Sequence, residues 1–588
     1  MEYPTSSARG SLDQALLELH RELAHTWGID FHRTRALLCH LASGNWYAIS
    51  DLIALSSLSH WNVTHLLQRL QPWMEHEGEH VRLHPMFKDL FTSIFDCSDI
   101  SSESLMTPYE VATKAGEVAA HSTALLATMT RLVNSLPFSP VRHLDHVSAT
   151  PLTCLKRALF LSKNYELAGA KILLLGDHDL TSLALAQVSP SVDITVVDLD
   201  ERILDYISVI SAQHGWTIRP VFADLRIELP RSVMQEVDLV FTDPPYTPAG
   251  IHLFLKRGLE ALKPSGYARL LFCYGFSERR PGIGLKVQAV LHDLSIVTEA
   301  ILPHFNRYRG AQAIGSHAAL YICRPTRRSL PAAKAQKIDP RIYTQGRSAE
   351  ETFERELLPA GIVATVKRSL AELVPARAIL VGEGWPKDLT GSLQTTSLGG
   401  YLRSMYALSQ RGLPSHAGLA AINLFPHFNA YLVRLLFMAA VEQVIFVAAD
   451  DALGVLFNEH QHDPLRTLIG SKYQVVSRER GYARQPGVVH VKQAHSATPV
   501  SSVLRYIIDH RQAKLVNAWR EALITWGDKQ GRRISKNEAR RLIDQCPLAA
   551  RHMNSYLSEL PLSDLRALVI YVEQNLEALL APDQEEHP

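Results

Sequence analysis

Apolar runs of four to six residues, most of them ended by a turn or an acid, recur through the middle of the chain. They are Lys171-Ile-Leu-Leu-Leu-Gly, Asp193-Ile-Thr-Val-Val-Asp, Pro220-Val-Phe-Ala-Asp, Val237-Asp-Leu-Val-Phe-Thr-Asp and Tyr267-Ala-Arg-Leu-Leu-Phe-Cys-Tyr. Segments with helical periodicity lie between them, as at 180–187, 202–214 and 251–262. Strands without polar alternation are buried on both faces. Strands of that kind separated by amphipathic helices predict a parallel sheet covered on each side. Such sheets bind ligands at the carboxyl ends of their strands. Here four successive strand ends carry an acid: Asp177, Asp198, Asp224 and Asp243.

The flanks have other patterns. Residues 1–100 read as short helices and a hairpin: Ser11-Leu-Asp-Gln opens an apolar periodic run, two helical segments follow, and Glu79-His-Val-Arg-Leu-His is extended. That is a winged-helix-like α domain, with DNA binding and packing or dimerisation as its alternative roles. Residues 107–135 read as a helical bridge into the α/β unit of 101–326, and 327–345 as a linker. A second α/β unit is expected over 346–495. Val374-Pro-Ala-Arg-Ala-Ile-Leu-Val-Gly-Glu parallels Leu167-Ala-Gly-Ala-Lys-Ile-Leu-Leu-Leu-Gly-Asp, and Ala420-Ala-Ile-Asn-Leu-Phe-Pro stands where Val237 to Pro244 would. The acid is missing from this copy, so a degenerate repeat with a structural or dimer-forming role is expected. Residues 500–588 read as a helical tail.

Composition narrows the function classes. At 588 residues the chain is too long for one core. Its 60 basic and 59 acidic residues leave no global attraction for a polyanion. Residues 1–90 hold seven Lys/Arg against ten Asp/Glu, which argues against nucleic acid as partner. The residues before Gly10 are too polar for a signal peptide, and the longest apolar stretch, 431–441, is short and carries Arg434, so no membrane association is expected. The six cysteines lack any CxxC spacing. Isolated buried thiols, no metal and a cytoplasmic location are the expectation.

Local charge changes the picture. Residues 171–250 contain twelve Asp/Glu and five Lys/Arg, a net of −7 over one sheet edge. In Asp243-Pro-Pro-Tyr246 the prolines fix the backbone and leave carbonyls free beside a carboxylate and a ring, a set of groups that holds an amino nitrogen. The alternative is a rigid turn. Gly176-Asp177-His178-Asp179 follows the first strand, where a cofactor loop normally carries several glycines. Asp179 suits a helix cap, but capping accounts for one acid and not two. Carboxylates there attract a cationic cofactor tail. Asp198 stands where ribose hydroxyls are bound, and Asp224 where an adenine amino group would be held. Residues 176–246 thus read as half of the active site of a nucleoside-sulfonium-dependent transferase acting on an amine.

The ordered motifs resemble the branched-chain polyamine synthases, the N(4)-bis(aminopropyl)spermidine synthase family. They are Asp145-His146-Val-Ser-Ala-Thr-Pro-Leu-Thr, Leu175-Gly-Asp-His-Asp-Leu-Thr-Ser, Val197-Asp-Leu-Asp-Glu-Arg, Ala223-Asp-Leu-Arg, Thr242-Asp-Pro-Pro-Tyr, Lys256-Arg-Gly-Leu-Glu-Ala-Leu-Lys and His304-Phe-Asn-Arg-Tyr. The resemblance spans roughly 100–326. His178 replaces an acid of the family's Gly-Asp-Asp-Asp, and His146 replaces a glutamine. The resemblance implies a class I methyltransferase-like Rossmann domain that transfers aminopropyl groups from decarboxylated S-adenosylmethionine to a polyamine such as spermidine. It implies Asp243, Asp177 and Asp179 in catalysis, and Gly176, Asp198, Asp200, Asp224 and Pro244 around the donor. Tyr246, His178, Asp145 and His146 would meet the acceptor. Two rivals stand beside it: an adenine-N6-type DNA methyltransferase, which shares Asp-Pro-Pro-Tyr, and a polyamine-sensing DNA-binding regulator.

Overall fold

The computed structural model describes residues 6–97, 106–140, 144–339, 341–343, 357–372, 378–406, 418–454, 463–481, 485–494 and 498–581. The first helix, Ser6–Trp27, starts ahead of the periodic run, so Ser11 lies inside it rather than capping it. The helix Phe31–Ala42, β1 (Tyr47–Ala48) and the helices Ile49–Ser56 and His60–Leu70 follow. The antiparallel hairpin of β2 (Met74–Glu77) and β3 (His80–Leu83) completes a sheet of order β1-β3-β2. Arg69, the one arginine of the fourth helix, is paired with Glu22.

Cys39 and Cys97 form a disulfide, with Cα atoms 5.2 Å apart. This corrects the expectation of isolated thiols throughout. The two residues are 58 positions apart and meet only because Phe31–Ala42 packs on Lys88–Ile94. The other four cysteines are free and buried.

The central sheet has seven strands. Five are parallel and match the apolar runs: β4 (Lys171–Leu175), β5 (Asp193–Asp198), β6 (Ile218–Phe222), β7 (Leu239–Thr242) and β8 (Arg269–Tyr274). Two more, β9 (Ile296–Arg307) and β10 (His317–Pro325), extend it antiparallel, in the order β6-β5-β4-β7-β8-β10-β9. Every residue of β7 and β8 is buried, as continuous apolar strands require. Edge strand β9 is mostly exposed, so it lacks that signature.

The stretch expected to be a linker is partly built into this unit. Ser329–Ala335 is helical, and Ile342 and Tyr343 are buried against the β6 and β7 ends. The apolar pair has more to gain from burial than a solvated linker would allow.

The second sheet contains β11 (Ala378–Val381), β12 (Gln394–Thr396), β13 (Leu419–Asn423), β14 (Gln443–Ala448), β15 (Tyr473–Glu479) and β16 (Gly487–Gln493), in the order β12-β11-β13-β14-β16-β15. Strands β12, β11, β13 and β14 run parallel, and β16 and β15 antiparallel. These orders and directions are those of β5-β4-β7-β8-β10-β9; among the described residues, β6 has no counterpart. Residues 374–377 of the parallel drawn from the sequence lie outside the described residues.

Helices Pro499–Asp509, Leu515–Lys529, Lys536–Asp544, Pro547–Arg551 and Leu562–Leu580 form the tail. One continuous apolar core runs from Ile172 and Val196 through Phe222 to Ile422, Phe446, Trp519 and Leu568. The second unit and the tail therefore cover β6, which would otherwise be an open sheet edge. Arg434, fully buried, pairs with Glu201 and lies 3.7 Å from the Phe222 ring centroid. The Ser232 amide donates to Glu559 at 3.1 Å.

Candidate active site

A cavity of about 790 Å³ opens at the carboxyl ends of β4 to β7. Its lining includes Asp145, His146, Gly176, Asp177, His178, Asp179, Asp198, Asp224, Asp243, Pro244 and Tyr246. All the expected site residues meet there except Asp200. That carboxylate instead caps the helix Glu201–His214 and holds Arg202 by two contacts of 2.9 and 2.6 Å. The structure also adds Arg157, Arg226, Tyr308, Ile342 and Tyr343 to the lining.

The turn after β4 reverses the expected division of labour between its two acids. Gly176 adopts a left-handed φ of 70°, which glycine permits without penalty. Asp177 is the capping acid. It accepts the Thr181 amide at 2.8 Å and the Ser182 amide at 3.1 Å, at the start of the helix Thr181–Val188. Asp179 points away from that helix. It accepts the Ala149 amide at 2.6 Å and Arg157 Nη1 at 2.8 Å. Burial pushes Asp177 up to about 8, helped by the charges of Asp179 and Asp198, while hydrogen bonds from Ser182 pull the other way.

Arg157 is the organising residue that the sequence reading passed over. It lies inside the helix Pro151–Asn164, fully buried. Nη1 holds Asp179, Nη2 holds Asp243 at 2.5 Å, and Nε donates to Asn306 Oδ1 at 2.8 Å. A signal was present: Arg157 falls among Cys154, Ala158 and Leu161, on the apolar stripe of its helix rather than its polar face. Asn306 and Tyr308 come from the His304-Phe-Asn-Arg-Tyr motif at the end of β9. That strand end is fastened to the 145–153 segment by the Thr150 amide donating to the Arg307 carbonyl at 2.9 Å.

Asp243 sits at the centre of a tight cluster. The Tyr308 hydroxyl contacts its Oδ2 at 2.8 Å and the Tyr246 hydroxyl its Oδ1 at 2.9 Å, with the two hydroxyls 2.8 Å apart. Three oxygen–oxygen contacts share two phenolic protons, so the triangle has room for one more proton. Burial, reinforced by the charge of Asp179, raises the Asp243 carboxyl to about 6 against the pull of Arg157. Burial likewise drives both phenols well above their ordinary range, so both remain protonated.

The opposite flank is built from β5 and β6. Asp198 accepts the Asp177 amide at 3.1 Å and the Asp200 amide at 2.8 Å, which leaves one lone pair on each oxygen for a ligand. Asp224 is neutralised by Arg226 through contacts of 2.9 and 2.5 Å. At the rim His146 and His178 stack with ring centroids 4.3 Å apart. Burial lowers His178 to about 4, so it is neutral at physiological pH. Among the described residues, no group of three or more His, Cys, Asp or Glu is arranged to hold a metal, and no helix is long and apolar enough to cross a membrane.

Residues 125–355 match the family model described as the branched-chain polyamine synthase A C-terminal domain. That stretch contains every residue lining the cavity and stops before the second sheet. An uncharacterized protein of Methanocaldococcus jannaschii is 38% identical over 173 residues, 29% of this chain and 43% of that protein. The N(4)-bis(aminopropyl)spermidine synthase of the same organism is 31% identical over 188 residues, covering 31% of this chain and 53% of that enzyme. The Thermococcus kodakarensis enzyme of that name is 31% identical over 173 residues, covering 29% and 48%. The chain spans about half the length of the curated relatives it matches. A crystal structure of the Thermus thermophilus branched-chain polyamine synthase with N4-aminopropylspermidine and 5'-methylthioadenosine aligns over 58% of this chain and 98% of that one. Its identity is 18% and its TM-score 0.31. The resemblance carried by the motifs thus extends along the whole cavity-bearing unit.

Proposed function

We propose that the protein transfers aminopropyl groups from decarboxylated S-adenosylmethionine to a polyamine of the spermidine class, releasing methylthioadenosine. The observation that carries this reading is the charge of the cavity wall. Six aspartates and three arginines line it, and Arg157 and Arg226 are already spent on Asp179, Asp243 and Asp224. The wall stays net negative, which suits a donor with a cationic tail and a polycationic acceptor. The volume lies within the range for small-molecule sites. The similarity of residues 125–355 to branched-chain polyamine synthases supports the same reading.

In the proposed reaction, the lone pair of a neutral acceptor amine attacks the methylene carbon bonded to the sulfonium. The carbon–sulfur bond breaks, and its electron pair returns to sulfur, giving the neutral thioether of methylthioadenosine. The amine starts as an ammonium with a pKa of about 10.4, so deprotonation at neutral pH costs about 4–5 kcal/mol. Asp243 takes the proton on Oδ1, the oxygen to which Tyr246 donates, and the tyrosine triangle has the vacancy to hold it. Arg157 fixes the angle between Asp179 and Asp243. Asp177 shapes the turn by capping. Asp198 holds ribose hydroxyls on its remaining lone pairs, and Asp224 lies at the adenine end. Side-by-side binding of donor and acceptor supplies much of the remaining acceleration.

The deciding experiment offers the protein decarboxylated or ordinary S-adenosylmethionine, each with spermidine or duplex DNA. Methylthioadenosine release and a mass gain of aminopropyl units on spermidine are expected. Methyl transfer to DNA without methylthioadenosine would replace this reading with the methyltransferase one. DNA retention modulated by spermidine, with no product, would indicate a regulator.

A further inference from the structure

The second α/β unit carries the degenerate counterpart of the Asp243-Pro-Pro-Tyr turn at the end of β13: Asn423-Leu-Phe-Pro426. In this copy the turn's polar groups are bound within its own unit. Asn423 donates from its side chain to the Glu383 carbonyl at 2.6 Å and accepts the Phe425 amide at 3.1 Å. Asn429 donates to the Pro426 carbonyl at 2.9 Å and accepts the Ala449 amide at 2.8 Å. The turn is therefore braced against the ends of β11 and β14 in its own sheet.

Residues just after this turn reach the first unit at the floor of its cavity. The Asp224 amide donates to the Tyr431 hydroxyl at 3.1 Å. Arg226 Nη2 donates to the His427 carbonyl at 2.9 Å. The Arg226 guanidinium lies 4.8 Å from the Phe428 ring centroid and 5.8 Å from that of Tyr343. The Tyr431 ring stands edge-on to Phe222, the last residue of β6, at 5.4 Å. Asp224, Arg226 and Tyr343 all line the cavity, whereas His427, Phe428 and Tyr431 stand behind them. The loop after β6 is thus held in place by the second unit.

We propose that the second α/β unit is a positioning element for the nucleoside end of the donor, acting through Tyr431 and Phe428 on the Asp224–Arg226 pair. This rests on the reading of the cavity as an aminopropyl-transfer site. The physical reason is preorganisation. A β6 loop free to move would have to be ordered each time the nucleoside binds, whereas a braced loop meets it already shaped. A turn with an asparagine where the first unit has Asp243 is suited to this use. It keeps the rigid backbone and brings no carboxylate to compete for Arg226.

The test uses the full chain and calorimetric binding of methylthioadenosine, together with steady-state kinetics. Tyr431→Phe removes only the hydroxyl. It should weaken methylthioadenosine binding and raise the donor KM by roughly 3- to 10-fold, the equivalent of one hydrogen bond, with the acceptor KM unchanged. Phe428→Leu removes the ring beside Arg226 and should act in the same direction, so a poorly folding Tyr431 variant does not end the test. Arg551→Met breaks the contact with Ser208 and the ion pair with Asp564, both away from the cavity, and should leave nucleoside affinity unaltered. If wild-type protein binds methylthioadenosine and both the Tyr431→Phe and Phe428→Leu variants bind it equally well, the positioning role is overturned while the proposed activity stands. If Arg551→Met weakens binding as much as they do, the effect is general stability and the positioning role also falls. If wild-type protein fails to bind methylthioadenosine, the activity reading and this inference fail together.

Discussion

Arg157 shows how a buried cation recasts an acidic site. Its guanidinium is fully buried, and among the described residues its carboxylate partners are Asp179 and Asp243. Arg157→Met would leave those two carboxylates close together without a counter-charge. A loss of about 3–5 kcal/mol is expected from urea unfolding, because breaking a buried pair strands its partner. Asp243→Asn keeps the shape but removes the proton acceptor. Methylthioadenosine release should drop by roughly 100-fold or more, with a smaller loss of stability than Arg157→Met because Asp179 still pairs with Arg157. The pH profile tests the same cluster. Asp243 must be ionised to accept a proton, so kcat/KM should rise with pH along an acidic limb centred near 6, a value belonging to the coupled cluster. The Tyr308 hydroxyl stabilises the ionised form. Tyr308→Phe should therefore move that limb to higher pH, and a limb moving to lower pH would contradict the assignment.

At the scale of elements, the turn between β4 and its helix was legible as a special site but not in its detail. A glycine followed by two acids after an apolar run marked the place. Which acid capped the helix depended on the left-handed Leu180, φ 59°, which starts the helix after it and turns Asp177 onto the Thr181 and Ser182 amides. Asp177→Asn should lower stability by about 1 kcal/mol through the weakened cap and leave more activity than Asp243→Asn. It should also change the pH dependence. The Asp177 carboxyl binds its proton more tightly folded, near 8, than its ordinary 3.8. Its contribution to stability is thus complete below about pH 4 and lost as pH climbs through about 8. The variant should show a shallower fall of melting temperature across that window. Strand β9 was less legible. Its polar and apolar positions reflect an edge and an irregular register rather than a buried run.

For the whole molecule, the shared core predicts a single unfolding event. Buried side chains run without a break from the first sheet to the second and into the tail. Scanning calorimetry should show one transition for residues 106–581, with at most the N-terminal unit melting apart. Two well-separated transitions for the two sheets would mean that the interface over β6 contributes little. The acids at four strand ends, the parallel sheet and the presence of a second α/β unit were all determined by the sequence, because each is a local pattern of apolar runs and what ends them. The disulfide, Arg157 between two carboxylates, and the bracing of the Asp224 loop by Tyr431 were decided only by the tertiary structure. Their partners lie 22 to more than 200 positions apart, and no local periodicity records which buried charge or hydroxyl will meet which once the sheets close on one core.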